Sequence, residues 1–132
     1  MKYFSIAELC NSDTADRLGI INRLPKEYLP NEQGLIDRVL DPLREWYGKP
    51  IYVNSGYRCP ELNKVVGGVE NSFHVSGCAA DIDARSYEEN KKLFEYIREN
   101  LPFTEVGWEG GGRWIHVALV PGRENEKEVF YA

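Results

Sequence analysis

The chain of 132 residues contains two histidines, and each stands among residues suited to metal binding or proton transfer. His74 lies in Asn71-Ser72-Phe73-His74-Val75-Ser76-Gly77-Cys78-Ala79-Ala80-Asp81, and His116 lies in Arg113-Trp114-Ile115-His116-Val117. An imidazole and a carboxylate separated by a glycine-containing turn converge on one point if His74 ends a loop and Asp81 begins a strand. A second imidazole from His116 then completes three ligands and leaves a fourth position open. That is the arrangement of a catalytic zinc site, whereas structural zinc sites close the shell with four protein ligands. Taken singly, the same residues have plainer readings: a core histidine in an apolar strand, and an aspartate that caps a turn.

The longer string narrows the choice. Ser72-x-His74-x-x-Gly77-x-Ala79-x-Asp81, the later Trp114-x-His116 and the upstream Ser55-Gly56-Tyr57-Arg58 together resemble the zinc D-Ala-D-Ala carboxypeptidases and their phage endolysin relatives. The resemblance covers about residues 30–120, and the first thirty residues fit it loosely. It implies the fold shared by these peptidases and the Hedgehog signalling domain, with His74, Asp81 and His116 as ligands to Zn2+. It also implies a peptidoglycan stem peptide as substrate. Arg58 takes the place of the arginine that contacts substrate and steadies the developing oxyanion, a task suited to a planar, permanently charged fork of donors. Ser72 matches a serine that bonds near the metal or the substrate, with a loop-stabilising role as the alternative.

The proton acceptor departs from the pattern. Several members carry an acid three positions before the last histidine, where this chain has Arg113. Glu109 is the substitute, since phage-like relatives carry a glutamate there. A loop over 110–113 would pair Glu109 with Trp114 and Gly107 with His116, placing Glu109 and His116 on one face. Gly107 opposite His116 would then leave room for a metal and a peptide. Asp83, on the same strand face as Asp81, is the second candidate. Tyr57, Phe73, Trp108 and Trp114 read as core or as groove walls.

The elements that must hold these groups follow from capping and periodicity. Ser5 caps a short helix through Cys10, with Glu8 placed as in a capping box, and Ser12 or Asp13 caps a second turn to about Leu18. Asn31 reads as the N-cap of the main helix, whose apolar stripe is Leu35, Ile36, Val39, Leu40, Leu43 and Trp46-Tyr47. Pro42 lies inside the stripe and should kink or split it, and Gly48 stops it. Residues 50–54 form a strand running to Gly56, which allows a sharp turn. Residues 61–66 make one or two helical turns, 78–84 a strand, and 87–100 a helix capped by Ser86. A hairpin over 104–109 and 113–120 closes the chain around Gly110-Gly111-Gly112. Helices first and an antiparallel sheet later predict a single α+β domain over 1–132, a small antiparallel sheet with helices packed on it.

Composition sets the remaining bounds. Sixteen basic and 21 acidic residues give a net charge of -5 with no basic cluster, which excludes nucleic acid or an anionic membrane as the main partner. No apolar run is long enough for a signal peptide or a membrane span. Cys10, Cys59 and Cys78 are odd in number and irregularly spaced, which predicts reduced thiols, cytoplasmic synthesis, and action on the wall after release. A monomer is expected. The function these features imply is zinc-dependent hydrolysis of D-amino-acid-containing peptidoglycan peptides, by a carboxypeptidase or an endolysin-type endopeptidase. The alternative is a non-catalytic zinc-stabilised domain that binds wall peptide or a protein partner.

Overall fold

A computed structural model describes all of residues 1–132. The chain opens with α1 (Ile6–Cys10) and α2 (Asp13–Leu18), whose first turns are closed by the hydroxyls of Ser5 and Ser12 accepting from the amides of Glu8 and Ala15. Each cap satisfies an amide that the helix itself leaves unpaired.

The main helical segment differs from the expected single helix capped at Asn31. It begins earlier, with a 3-10 turn (Lys26–Tyr28), and continues as α3 (Leu29–Leu35), a π turn (Ile36–Leu40) and α4 (Asp41–Tyr47). Pro30 sits in the first turn of α3, where a missing N–H costs nothing, and the Asn31 side chain instead donates to the Ser76 carbonyl at 3.0 Å. Pro42 does not split the stripe, because helical backbone continues through it from the π turn into α4. Its missing N–H would orphan a carbonyl one turn back, and the wider turn before it, with Asp41 N–H bonded to Ile36 O, absorbs that misfit. Gly48 ends the helix in the left-handed conformation, at φ 75°.

Two helices, one short and one of 14 residues, and five strands follow: β1 (Tyr52–Ser55), α5 (Pro60–Val65), β2 (Ala79–Asp83), α6 (Tyr87–Asn100), β3 (Glu105–Glu109), β4 (Trp114–Ala118) and β5 (Glu128–Tyr131). Cys59 caps α5 through its sulfur and Ser86 caps α6 through its hydroxyl. The strands form one sheet in the order β1-β2-β4-β3-β5. Three pairings are antiparallel, and β5 runs parallel to β3. The fold is α+β with a mostly antiparallel sheet; β5 is the strand that sequence reading did not find.

One sheet face is covered by helices. Ala80 and Ile82 of β2, Val106 of β3, and Ile115 and Val117 of β4 meet Leu35, Ile36, Val39, Leu40 and Leu43 from the main helical segment and Leu93, Phe94 and Ile97 from α6. Emptying one of these fully buried leucines to alanine costs about 2–5 kcal/mol. The first residues are tied to the same segment, because the buried Asp41 carboxylate accepts from the amides of Tyr3 and Phe4 at 3.0 and 3.1 Å. Period two then turns Asp81, His116, Gly107, Glu105 and Glu109 to the opposite face of the sheet.

Candidate metal centre

The centre is assembled across β2, β4 and the loop between α5 and β2. Asp81 stands directly opposite His116, which in turn stands opposite Gly107, and Glu109 stands opposite Trp114. His74 reaches the same point from its loop. That loop is closed by the Cys78 amide on the Phe73 carbonyl at 2.9 Å, and by Gly77 at φ 76°. The His74 carbonyl accepts from the Arg58 amide at 3.1 Å, so loop and arginine are fixed to one another. Ser72 Oγ accepts from the His74 amide at 3.2 Å while lining the cavity, so it serves the loop from within the site.

Ligating atoms of His74, Asp81 and His116 all lie within 4.8 Å of one another, and the three residues are buried. His74 Nε2 is 3.3 Å from Asp81 Oδ1, and His116 Nδ1 is 3.1 Å from the same oxygen. The outer nitrogens are already engaged: His74 Nδ1 with the Gly56 carbonyl at 2.7 Å, His116 Nε2 with Glu105 Oε1 at 2.8 Å. A carbonyl and a carboxylate can only accept, so each outer nitrogen carries the proton in the neutral ring. The inner nitrogens are then lone pairs aimed at a carboxylate oxygen. Three buried acceptors converging in this way call for a cation between them. The spacing suits one: ligands 2.0–2.1 Å from an ion at tetrahedral angles stand about 3.3 Å apart.

Without a cation, a second proton on His116 fills the same role. Burial opposes that charge, but bonds and charges from Asp81 and Glu105 outweigh it and raise the His116 pKa to about 9. Burial likewise pushes the Asp81 pKa up, and the two imidazoles override it, holding the carboxyl well below the usual range.

Around the triad lies a cavity of about 500 Å³ that also takes in Arg58, Ser72, Phe73, Glu105, Glu109, Arg123 and Phe130. Arg58 faces Asp81 Oδ2 at 3.5 Å and is braced by Ser55 Oγ and Asn63 Oδ1 at 2.9 and 3.2 Å. Glu109 accepts from the Trp114 indole N–H at 2.5 Å, which orients its carboxylate at the cavity wall. Asp83 is elsewhere. It accepts from the Arg85 amide and from Asn90 at 2.7 and 2.9 Å, and it does not line this cavity.

Two glycines act differently from their expected roles. A Cβ at Gly107 would lie 2.2 Å from the Phe130 ring, so the space opposite His116 is filled by an aromatic from β5. A Cβ at Gly56 would lie 2.2 Å from the Leu9 carbonyl oxygen, so close approach of α1 explains this glycine, whose φ is not in the left-handed region. Sequence reading missed Glu105. Its period-two relation to Gly107 and Glu109 is the signal that could have found it. Of the aromatics, Tyr57 is buried, Phe73 and Phe130 line the cavity, and Trp108 turns to the helix face against Phe94.

Comparison with known proteins agrees with this geometry. The family described as Peptidase M15 matches residues 2–118, and the chain belongs to that family. The match begins at residue 2 and so takes in the N-terminal stretch whose sequence fits the resemblance loosely. A zinc D-Ala-D-Ala carboxypeptidase of Streptomyces albus G is 40% identical over 78 residues. That stretch is 57% of this chain and 30% of the relative, so the chain spans well under half of the relative's length.

Proposed function

We propose that this protein is a zinc peptidase that hydrolyses D-amino-acid-containing peptides of peptidoglycan. Its metal ligands are His74, Asp81 and His116. The observation that carries the reading is the convergence of both imidazoles on one Asp81 oxygen, at 3.3 Å from His74 Nε2 and 3.1 Å from His116 Nδ1, with each ring held from behind. The similarity to a zinc D-Ala-D-Ala carboxypeptidase supports both the choice of zinc and the substrate class.

Bound zinc would polarise the scissile carbonyl and bring the pKa of its water toward neutrality. Glu109 is the general base: it takes the proton of the attacking water and returns it to the leaving amine. Its bond from the Trp114 indole leaves the second carboxylate oxygen free for this work. Arg58, one step from Asp81 and braced on two sides, donates to the oxyanion and holds the substrate carbonyl. Ser72 fixes the His74 loop and offers its hydroxyl to substrate at the cavity wall.

A non-catalytic wall-peptide-binding domain is the second reading. It is favoured by Arg113, which stands where several relatives carry an acid and which bonds to the Gly110 carbonyl at 2.9 Å. Hydrolysis separates the two. Zinc-loaded protein is incubated with a stem peptide ending in D-Ala-D-Ala and with cross-linked wall fragments, and the products are read by mass spectrometry. Chelator-sensitive release of D-Ala identifies a carboxypeptidase, and cleavage of an internal bond identifies an endopeptidase. Binding of either substrate without cleavage contradicts the enzymatic reading.

A further inference from the structure

We propose that Glu105 is a positioning residue for the metal centre, fixing His116 so that its Nδ1 faces the ion. The inference rests on the zinc reading above and adds a residue to it. His116 occupies a five-residue strand with Asp81 on one side and Gly107 on the other. Gly107 has no side chain to hold the imidazole, and the Phe130 ring beside it, 5.7 Å away between centroids, offers contact without a hydrogen bond. Glu105 stands one alternation before Gly107 on the same face and reaches His116 Nε2 diagonally at 2.8 Å.

Three consequences follow from the chemistry of that bond. A carboxylate has no proton to give, so Nε2 must keep its hydrogen and Nδ1 must be the free lone pair. The charged acceptor makes the imidazole a stronger donor of electrons to a metal. The mostly buried setting, with side-chain exposures of 10% for His116 and 23% for Glu105, strengthens the bond over one in water. His74 has a weaker counterpart in the neutral Gly56 carbonyl. The two imidazoles are therefore held unequally, and the one on the strand depends on a replaceable side chain. Glu109, the proposed base, is spared this duty because its own carboxylate is held by Trp114.

The test uses zinc affinity, measured by competition with a coloured chelator, together with the melting temperature of metal-stripped protein. Glu105→Ala should weaken zinc binding about 10–100-fold, the usual effect of removing a carboxylate behind a ligating histidine. Its metal-free melting temperature should match that of Glu105→Gln, which likewise lacks the carboxylate charge facing His116. Glu105→Gln retains an acceptor oxygen and should recover zinc affinity to within about fivefold of wild type, with turnover following the bound metal. Wild-type affinity in Glu105→Ala would overturn the assignment. So would a loss shared by the alanine and glutamine variants along with a lower metal-free melting temperature. Full zinc binding by Glu105→Gln with turnover down a hundredfold or more would make Glu105 the base and overturn its positioning role. Failure of wild-type protein to bind zinc would contradict the metal centre itself, and the proposal with it.

Discussion

At the scale of single residues, the division of labour among three carboxylates decides what the cavity can do. Asp81 gives one oxygen to the two imidazoles and the other to Arg58, Glu105 is taken up by His116, and Glu109 is oriented by an indole. Glu109→Gln keeps the shape and the bond from Trp114 but cannot accept a proton. It should bind zinc normally and lose about two to four orders of magnitude in turnover, measured on whichever wall peptide the wild type cleaves. Near-wild-type turnover would remove Glu109 from the role. Arg58→Ala should also keep its zinc and lose about two to three orders of magnitude in turnover, while the shape of its pH–rate profile stays unchanged, since no proton moves through a guanidinium. A shifted profile in Arg58→Ala would contradict oxyanion stabilisation as its task.

At the scale of elements, the centre depends on backbone approaches that admit no side chain. Gly107→Ala would drive a methyl into the Phe130 ring and push β5 from β3, at a cost of about 1–3 kcal/mol, readable as a lower denaturant midpoint. An unchanged midpoint would mean that Phe130 simply turns aside. These approaches also mark where the sequence stopped being readable. The hairpin register, with Glu109 opposite Trp114 and Gly107 opposite His116, was legible because period two and a glycine-rich turn leave few alternatives. The capped helices at Ser5, Ser12 and Ser86 were legible from local chemistry alone. The π turn before Pro42 was not, because a proline inside an apolar stripe predicts a misfit but not how the backbone absorbs it. Strand β5 was hidden for a different reason: Glu128-Val129-Phe130-Tyr131 is short, and its parallel partner β3 lies some twenty residues earlier, beyond any local pattern. With β5 unseen, the purpose of Gly107 was misread. The part played by Glu105 went unnoticed although it shares the face of Glu109.

At the scale of the whole molecule, stability and the site are built on separate faces of one sheet. Helices cover the apolar face, no helix is long and apolar enough to cross a membrane, and the three cysteines are free thiols. One buried group in the helical layer works against the fold at neutral pH. Glu32 is fully buried with Oε1 lacking a hydrogen-bond partner, and burial pushes its pKa from 4.5 to about 7. The folded state therefore binds a proton that the unfolded chain has released. Stability is full below about pH 4.5, falls as pH rises to about 7, and is flat beyond that as far as this group is concerned. Glu32→Gln should remove that slope from the melting curves and raise stability at pH 8 by about 1–3 kcal/mol. A variant with the same slope as wild type would place the pH dependence elsewhere.

The proposed activity needs one metal held by three side chains, and the zinc content of the purified protein tests that most directly. After dialysis against metal-free buffer containing a weak chelator, elemental analysis of the wild type should find about one zinc per chain. His74→Ala, Asp81→Ala and His116→Ala should each lose it, because a two-ligand remnant binds zinc orders of magnitude more weakly. A wild type without stoichiometric zinc, or any one of the three variants retaining a full equivalent, would contradict the His74–Asp81–His116 centre.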